Sequence, residues 1–283
     1  MSSKISLVLE GGGMRGAYTA GCLSWLLDQN IHFDSIYGIS TGAVNLCAFL
    51  MKSKKYLYDF FTQYINDKRA VGIRPLLREG VFVSYDYLFD TVMVNAGFTM
   101  DPLKDCRENA KIGIYDLSEG KTSFHRVQDL DLELLKAATT LPILGRPVKK
   151  DGHEYLDGGI TKMIAIEESM ADGNDKHLII ATKPLDYVRK PAKKIVRCLM
   201  KHTYSQCPQI EKDYAVRHLN YHRQVDFVKE LAEQGKAMYL CPSRKTNVTR
   251  ISGSTEELID LYNLAREDME AGKEELFRFL EIQ

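Results

Sequence analysis

A serine with glycines two positions away on either side, Gly38-Ile39-Ser40-Thr41-Gly42, is where the chain first offers chemistry. At a strand-to-helix junction this spacing forces a sharp turn that pushes the serine oxygen out at the edge of a sheet. Gly38 and Gly42 admit the crowding. Upstream, Gly11-Gly12-Gly13-Met14-Arg15-Gly16 follows a short apolar run and precedes a helical pattern. Backbone amides in a loop without side chains can converge on one point, and the helix N-terminus adds positive potential there. That point suits a phosphate or the oxyanion of an acyl-transfer intermediate. Arg15, just inside the helix, is free either to brace the loop or to meet a polar head group. The same glycine spacing is the dinucleotide fingerprint, but that reading needs an acidic residue ending the second strand. Asp34 precedes that strand and the Ser40 motif follows it, which disfavours a nucleotide.

A serine nucleophile needs a base. The α/β-hydrolase arrangement places its elbow deep in the chain and a histidine last, which does not fit an elbow after the second strand. Tyr155-Leu156-Asp157-Gly158-Gly159 supplies an aspartate ending an apolar segment, with glycines that permit close backbone approach. A carboxylate in hydrogen-bond reach of a serine, with water largely excluded, accepts its proton directly. It is a weaker base than imidazole, so esters are expected as substrates ahead of amides. Taken alone, Asp-Gly-Gly is a turn signal and Ser40 a helix N-cap.

The elements that must position these residues alternate. Ile5–Leu9 reads as a strand, Arg15 to Gln29 as a helix, Ser35 to Ile39 as a second strand, and Ala43 to Lys52 as an apolar helix. Residues 55 to 105 read as irregular helical material. Lys111 to Leu117 and Thr122 to Val127 form a hairpin pattern, and Leu132 to Thr139 is helical ahead of Pro142. His177 to Thr182 is a continuous apolar run suited to a buried parallel strand, with Met238 to Cys241 a further candidate. Ser254 and Glu257 fit a capping box that opens a long C-terminal helix. Strands alternating with helices predict an α/β fold with a mainly parallel sheet.

With 283 residues, no repeat and no linker-like tract, a single domain over 1–283 is expected. The motifs occupy 5–185, and 186–283 forms a mostly helical extension. Acidic and basic residues both number 38, which argues against a dedicated nucleic-acid binder. The six cysteines show no paired spacing and read as reduced, buried thiols of a cytoplasmic protein. The N-terminal apolar run is too short for a signal peptide, and no segment has the length of a spanning helix.

The three motifs together, Gly11–Gly16, Gly38–Gly42 and Asp157–Gly159, resemble the patatin-like phospholipase family in its bacterial form. The stretch Ala137-Ala138-Thr139-Thr140-Leu141-Pro142 is similar to the family's small-residue segment before a proline. The resemblance implies a three-layer α/β/α fold, lipid acyl hydrolase activity, no metal and no cofactor. It also implies a Ser40–Asp157 dyad and an oxyanion hole in the loop Gly11 to Met14, through the amides of Gly12, Gly13 and Met14. Arg15, Gly16, Gly38, Gly42, Gly158 and Gly159 are the supporting residues. The segment Ile160 to Ala165 departs from the proline and polar residue many relatives carry there, which bears on the pocket wall. Acyl transfer through the same acyl-enzyme, and a lipid-binding protein without turnover, are the alternatives.

Two weaker patterns remain. Arg189 to His202 has apolar residues at helical spacing opposite Lys190, Lys193, Lys194, Arg197 and Lys201, with Pro191 in the first turn. Such a helix either lies on an anionic lipid surface or is a domain helix with a solvated face. His218 and His222 are one turn apart near Cys198, His202 and Cys207, but lack paired cysteines and read as helix-surface histidines. His153 reads as a solvent-facing hairpin residue.

Overall fold

β1 (Ile5–Leu9) is buried on both faces, as a strand covered by helices on both sides must be. Leu7 and Leu9 pack into one core cluster and Val8 into another on the opposite face. The computed structural model describes residues 3–282; residues 1, 2 and 283 of the expected domain lie outside the described residues. The remaining strands are β2 (Ser35–Ile39), β3 (Asn109–Asp116), β4 (Lys121–Arg126), β5 (Val148–Lys150), β6 (His153–Asp157), β7 (Lys176–Ile180) and β8 (Ala237–Leu240). They form an eight-stranded sheet in the order β5-β6-β3-β2-β1-β7-β8, with β4 also paired to β3. From β3 to β8 neighbouring strands are parallel, while β4, β5 and β6 make an antiparallel flank.

Helices cover both faces. α1 (Gly16–Asp28), α2 (Thr41–Leu50) and the C-terminal helix bury Leu23, Leu46 and Leu261 against Leu7, Leu9 and Ile36. On the other face, α3 (Ile166–Ala171) and α5 (Gln209–Glu233) bury Ile166, Tyr221 and Val228 against Val8, Tyr37 and Ile179. Each such fully buried aliphatic side chain contributes roughly 1.5–3 kcal/mol of transfer free energy. The C-terminal helix α6 (Thr255–Ala271) opens on the expected capping box: the Glu257 amide donates to Ser254 Oγ at 3.2 Å, and the Ser254 amide donates to Glu257 Oε2 at 2.8 Å. The result is a three-layer α/β/α fold. The strand β8 means that residues beyond 186 also add to the sheet.

Two expectations are corrected. The helix expected from Arg189 is α4 (Lys194–Thr203), and Pro191 lies ahead of it instead of in its first turn. A proline disfavours helical geometry at the residue before it, here Lys190. The Arg189 carbonyl also accepts from His222 Nε2 at 3.1 Å, which ties this stretch to α5. Of the cysteines, Cys22 and Cys47 are buried, Cys198 is exposed, and the other three are half-buried. His153 lies on the β5–β6 hairpin with a part-exposed side chain, as expected, and its Nδ1 is 2.7 Å from Asp116 Oδ2.

Candidate active site

β1 and β2 run side by side, so the glycine loop after Leu9 and the turn after Ile39 emerge at the same edge of the sheet. Ser40 caps α2 with φ 57° and ψ −126°, a left-handed conformation that costs a non-glycine residue about 1–3 kcal/mol. The surrounding packing enforces it. A side chain at Gly42 would begin 2.5 Å from the Leu9 carbonyl oxygen, and one at Gly38 would meet the Gly42 carbonyl oxygen at 2.6 Å. Asn45 Nδ2 donates to the carbonyls of Thr41 and Gly16, joining the start of α2 to the start of α1.

The sheet delivers the aspartate. Gly113 of β3 pairs with Ile39 of β2, and the next residue, Ile114, pairs with Asp157 of β6. β4 lines the opposite edge of β3 along Lys111–Asp116, so β2 and β6 follow one another on one edge. β2 ends at Ile39 and β6 at Asp157, so both chains leave the sheet at this point. Gly158 and Gly159 turn the chain sharply away over Gly158–Ile160. Gly158 packs against the backbone of Gly113, and a side chain there would lie 2.5 Å from the Gly113 carbonyl oxygen.

Ser40 Oγ donates to Asp157 Oδ2 at 2.6 Å, and the Gly159 amide donates to Asp157 Oδ1 at 2.7 Å. Both carboxylate oxygens are therefore oriented. Asp157 is 2% exposed and Ser40 7%. Burial raises the Asp157 pKa above the usual aspartate value. The Ser40 hydrogen bond, the Arg217 charge, the Gly159 amide and the Arg250 charge hold the rise back. A carboxyl tuned upward in this way is a better proton acceptor than a solvated one.

The glycine loop is narrower in use than expected. The Gly11 amide donates to the Met163 carbonyl at 3.2 Å, and the Met14 amide donates to the Arg250 carbonyl at 3.1 Å. These two donors are committed, so Met14 cannot serve an oxyanion while that contact holds. Among the described residues, no protein acceptor takes the amides of Gly12 and Gly13. Gly13 has φ +61°, and a side chain there would collide with the Arg250 carbonyl at 2.1 Å. Gly16 begins α1. Arg15 braces the loop, its Nε donating to the Val248 carbonyl at 3.1 Å. Behind the loop, Lys183 and Glu10 form a buried ion pair, and Thr182 donates to Glu10 Oε2 from its amide and its hydroxyl. Burial lowers the Lys183 pKa to about 7, against the attraction of Glu10.

Two recesses meet at Ser40. One is apolar, with Val44, Phe60, Phe61, Leu88, Phe89 and Leu141 among its walls. Phe60, Phe61, Leu88 and Phe89 sit on two wide helical segments with i→i+5 geometry, Phe60–Tyr64 and Tyr87–Met93, a helix form found often at functional sites. The other is cationic and brings Arg15, Lys183, Arg189, Arg217 and Arg250 around Ser40 and Asp157. The sequence reading did not single out Arg189, Arg217 or Arg250 for this place. Their positions depend on long-range packing, and no local motif marks them. Among the described residues, no group of three or more His, Cys, Asp or Glu is gathered as a metal site.

A fold of this kind, with a serine elbow beside a glycine loop, defines a class, and the sequence comparison identifies it. A family model described as patatin-like phospholipase matches residues 7–170, more than half the chain, and the protein belongs to that family. A second model, a domain of unknown function designated DUF6363, matches residues 207–281. Among curated proteins, the chain is similar to the uncharacterized protein YjjU of Escherichia coli K12, 27% identical over 64% of this chain and 52% of that protein. It is also similar to the probable lipid hydrolase 463L of Invertebrate iridescent virus 6, 25% identical over 61% of this chain and 65% of that one. The chain thus spans about half to two thirds of the length of these relatives. The crystal structure of VipD from Legionella pneumophila aligns with 99% of this chain and 67% of its own, at 12% identity and a TM-score of 0.47.

Proposed function

We propose that this protein is a serine hydrolase of lipid carboxylic esters in which Ser40 is the nucleophile and Asp157 the base. The observation that carries the reading is the 2.6 Å hydrogen bond from Ser40 Oγ to a buried, upward-shifted carboxylate. As Oγ attacks the ester carbon, its proton passes to Asp157 and the carbonyl electrons move to oxygen. In this reading the Gly12 and Gly13 amides, which no protein acceptor takes among the described residues, receive that charge. Collapse expels the alkoxide, which takes the proton from Asp157, and leaves an acyl group on Ser40. Asp157 then accepts a proton from the water that attacks the acyl-enzyme, and returns it to Ser40 Oγ as the Oγ–acyl bond breaks and the acid is released. The apolar recess accommodates the acyl chain.

α4 bears on where the reaction occurs. Among the described residues no helix is long and apolar enough to cross a membrane. On α4, Val196 and Met200 pack inward, while Ile195 (68% exposed) and Leu199 (46%) face outward beside Lys194, Arg197 and Lys201. This supports contact of that face with an anionic lipid surface.

A fluorophosphonate probe tests the core of the proposal. It should label the wild-type protein at Ser40, and Ser40→Ala should lose both labelling and ester hydrolysis. Undiminished labelling of that variant would remove Ser40 from its role.

A further inference from the structure

Residues 207–281 match a domain model of unknown function, yet Arg217 and Arg250 from this stretch line the recess that holds Ser40 and Asp157. Arg189, from the segment before α4, joins them. Among the described residues none of these three guanidiniums has an Asp or Glu oxygen within 4.0 Å. Arg217 is nearly buried; its Nε donates to the Gly159 carbonyl, and a terminal nitrogen approaches Met163 Sδ at 3.1 Å. Arg189 Nε is buried with no hydrogen-bond partner. The Arg250 carbonyl accepts from the Met14 amide, and Arg250 lines both the cationic and the apolar recess.

Like charges gathered and desolvated without carboxylates are costly unless an anion joins them. The cost is visible in Arg217: burial lowers its pKa, Arg189 and Arg250 lower it further, and Tyr214 and Asp157 oppose them. Asp157 is the only carboxylate among the residues lining this recess. Lys183 is already neutralised by Glu10.

The aromatic rings nearby discriminate further. Arg217 lies over Tyr214 at 5.3 Å, Arg189 over Tyr221 at 5.0 Å, and Lys183 over Tyr187 at 5.7 Å. Their faces are taken by the protein's own cations. Within the cationic recess a quaternary ammonium would meet like charges and, besides Asp157, no carboxylate. A phosphate finds several guanidinium donors, and a phosphomonoester, with its extra charge, gains the most from them.

We propose that the C-terminal segment completes the active site with an anion subsite, in which Arg189, Arg217 and Arg250 hold a phosphate on the alcohol side of the scissile ester. The preferred substrates are then acyl esters whose alcohol ends in a phosphomonoester. This rests on the Ser40–Asp157 reading for turnover, while binding of the anion does not depend on it.

The test compares three short-chain substrates with the same acyl group: a lysophosphatidate, a lysophosphatidylcholine and a monoacylglycerol. Wild-type kcat/KM should favour the lysophosphatidate over each of the others by tenfold or more. Arg189→Gln and Arg250→Gln, checked for intact folding by thermal melting, should each shrink that preference by tenfold or more. Calorimetric binding to the inert Ser40→Ala protein should show the same order of preference. Equal kcat/KM for charged and neutral substrates, or a preference unmoved by both arginine variants, would overturn the subsite. Failure of the wild type to hydrolyse any of the three, with binding preference retained in the Ser40→Ala protein, would sink the hydrolase reading and leave the subsite standing.

Discussion

Buried serines touch a proton acceptor at both ends of the same sheet. At the end where β1 begins, Ser6 Oγ is 2.9 Å from His177 Nδ1, and Ser169 Oγ lies 2.7 Å from Ser6 and 2.9 Å from the same ring nitrogen. At the end where β2 finishes, Ser40 touches Asp157. By residue type the first pair looks more reactive, since imidazole is the usual partner of a catalytic serine. Its setting says otherwise. Ser6 and Ser169 are wholly inaccessible, Ser6 lies within a regular strand, and burial pushes the His177 pKa down to about 4. Ser40 instead stands on a strained turn, beside free amides, where an apolar and a cationic recess meet. A base within reach is not enough to make a nucleophile; the serine must also face a place where a substrate and its developing charge can be held.

The largest expected contrast comes from breaking one member of each pair. Asp157→Asn should lower kcat/KM for a simple ester by about 10²–10⁴-fold, the usual contribution of a general base. Ser6→Ala should stay within twofold of wild type. Near-normal turnover in Asp157→Asn, measured alongside a melting curve showing an intact fold, would undo the assignment of the base. The wild-type pH profile sharpens the point. Because the Asp157 pKa is raised, its basic form is lost as pH falls through a value above the usual aspartate range, and kcat/KM should fall there.

A smaller effect belongs to the other end. His177 is held neutral, its pKa lowered to about 4 from 6.5 chiefly by burial, with Asp175 opposing. The unfolded chain therefore binds the extra proton first as pH drops below 6.5. The stability this residue contributes is complete above that value and is lost as pH falls toward 4, on the order of 2 kcal/mol. His177→Asn should flatten the decline of melting temperature over that window. An unchanged decline would show that the ring's protonation is not coupled to folding.

How much of this was legible in the sequence follows from the range of the interactions involved. The Gly11–Gly16 loop, the Ser40 elbow, the β3–β4 hairpin and the Ser254 capping box are written in adjacent residues, and local geometry decides them. Asp157 was legible as a candidate, but its placement beside Ser40 depends on β6 succeeding β2 along one edge of β3. The commitment of the Met14 amide to Arg250 was not legible, because that carbonyl arrives from the far C-terminal part of the chain. The same holds for the cationic recess. Phe60, Phe61, Leu88 and Phe89 were apparent only as apolar residues in irregular helices, since a wide helical turn has no simple hydrophobic period. The Arg189–Lys193 stretch had helical spacing of side chains, yet Pro191 and the hydrogen bond from His222 keep it out of α4.

In the proposed mechanism, turnover passes through an acyl group on the serine at the open end of the sheet. Its most direct measurement is mass spectrometry of the protein quenched in acid during hydrolysis of a chromogenic ester, followed by peptide mapping. A mass increase of one acyl group on the peptide bearing Ser40, missing from Ser40→Ala, is the predicted result. Acylation of a different residue, or steady hydrolysis in the Ser40→Ala protein, would contradict it.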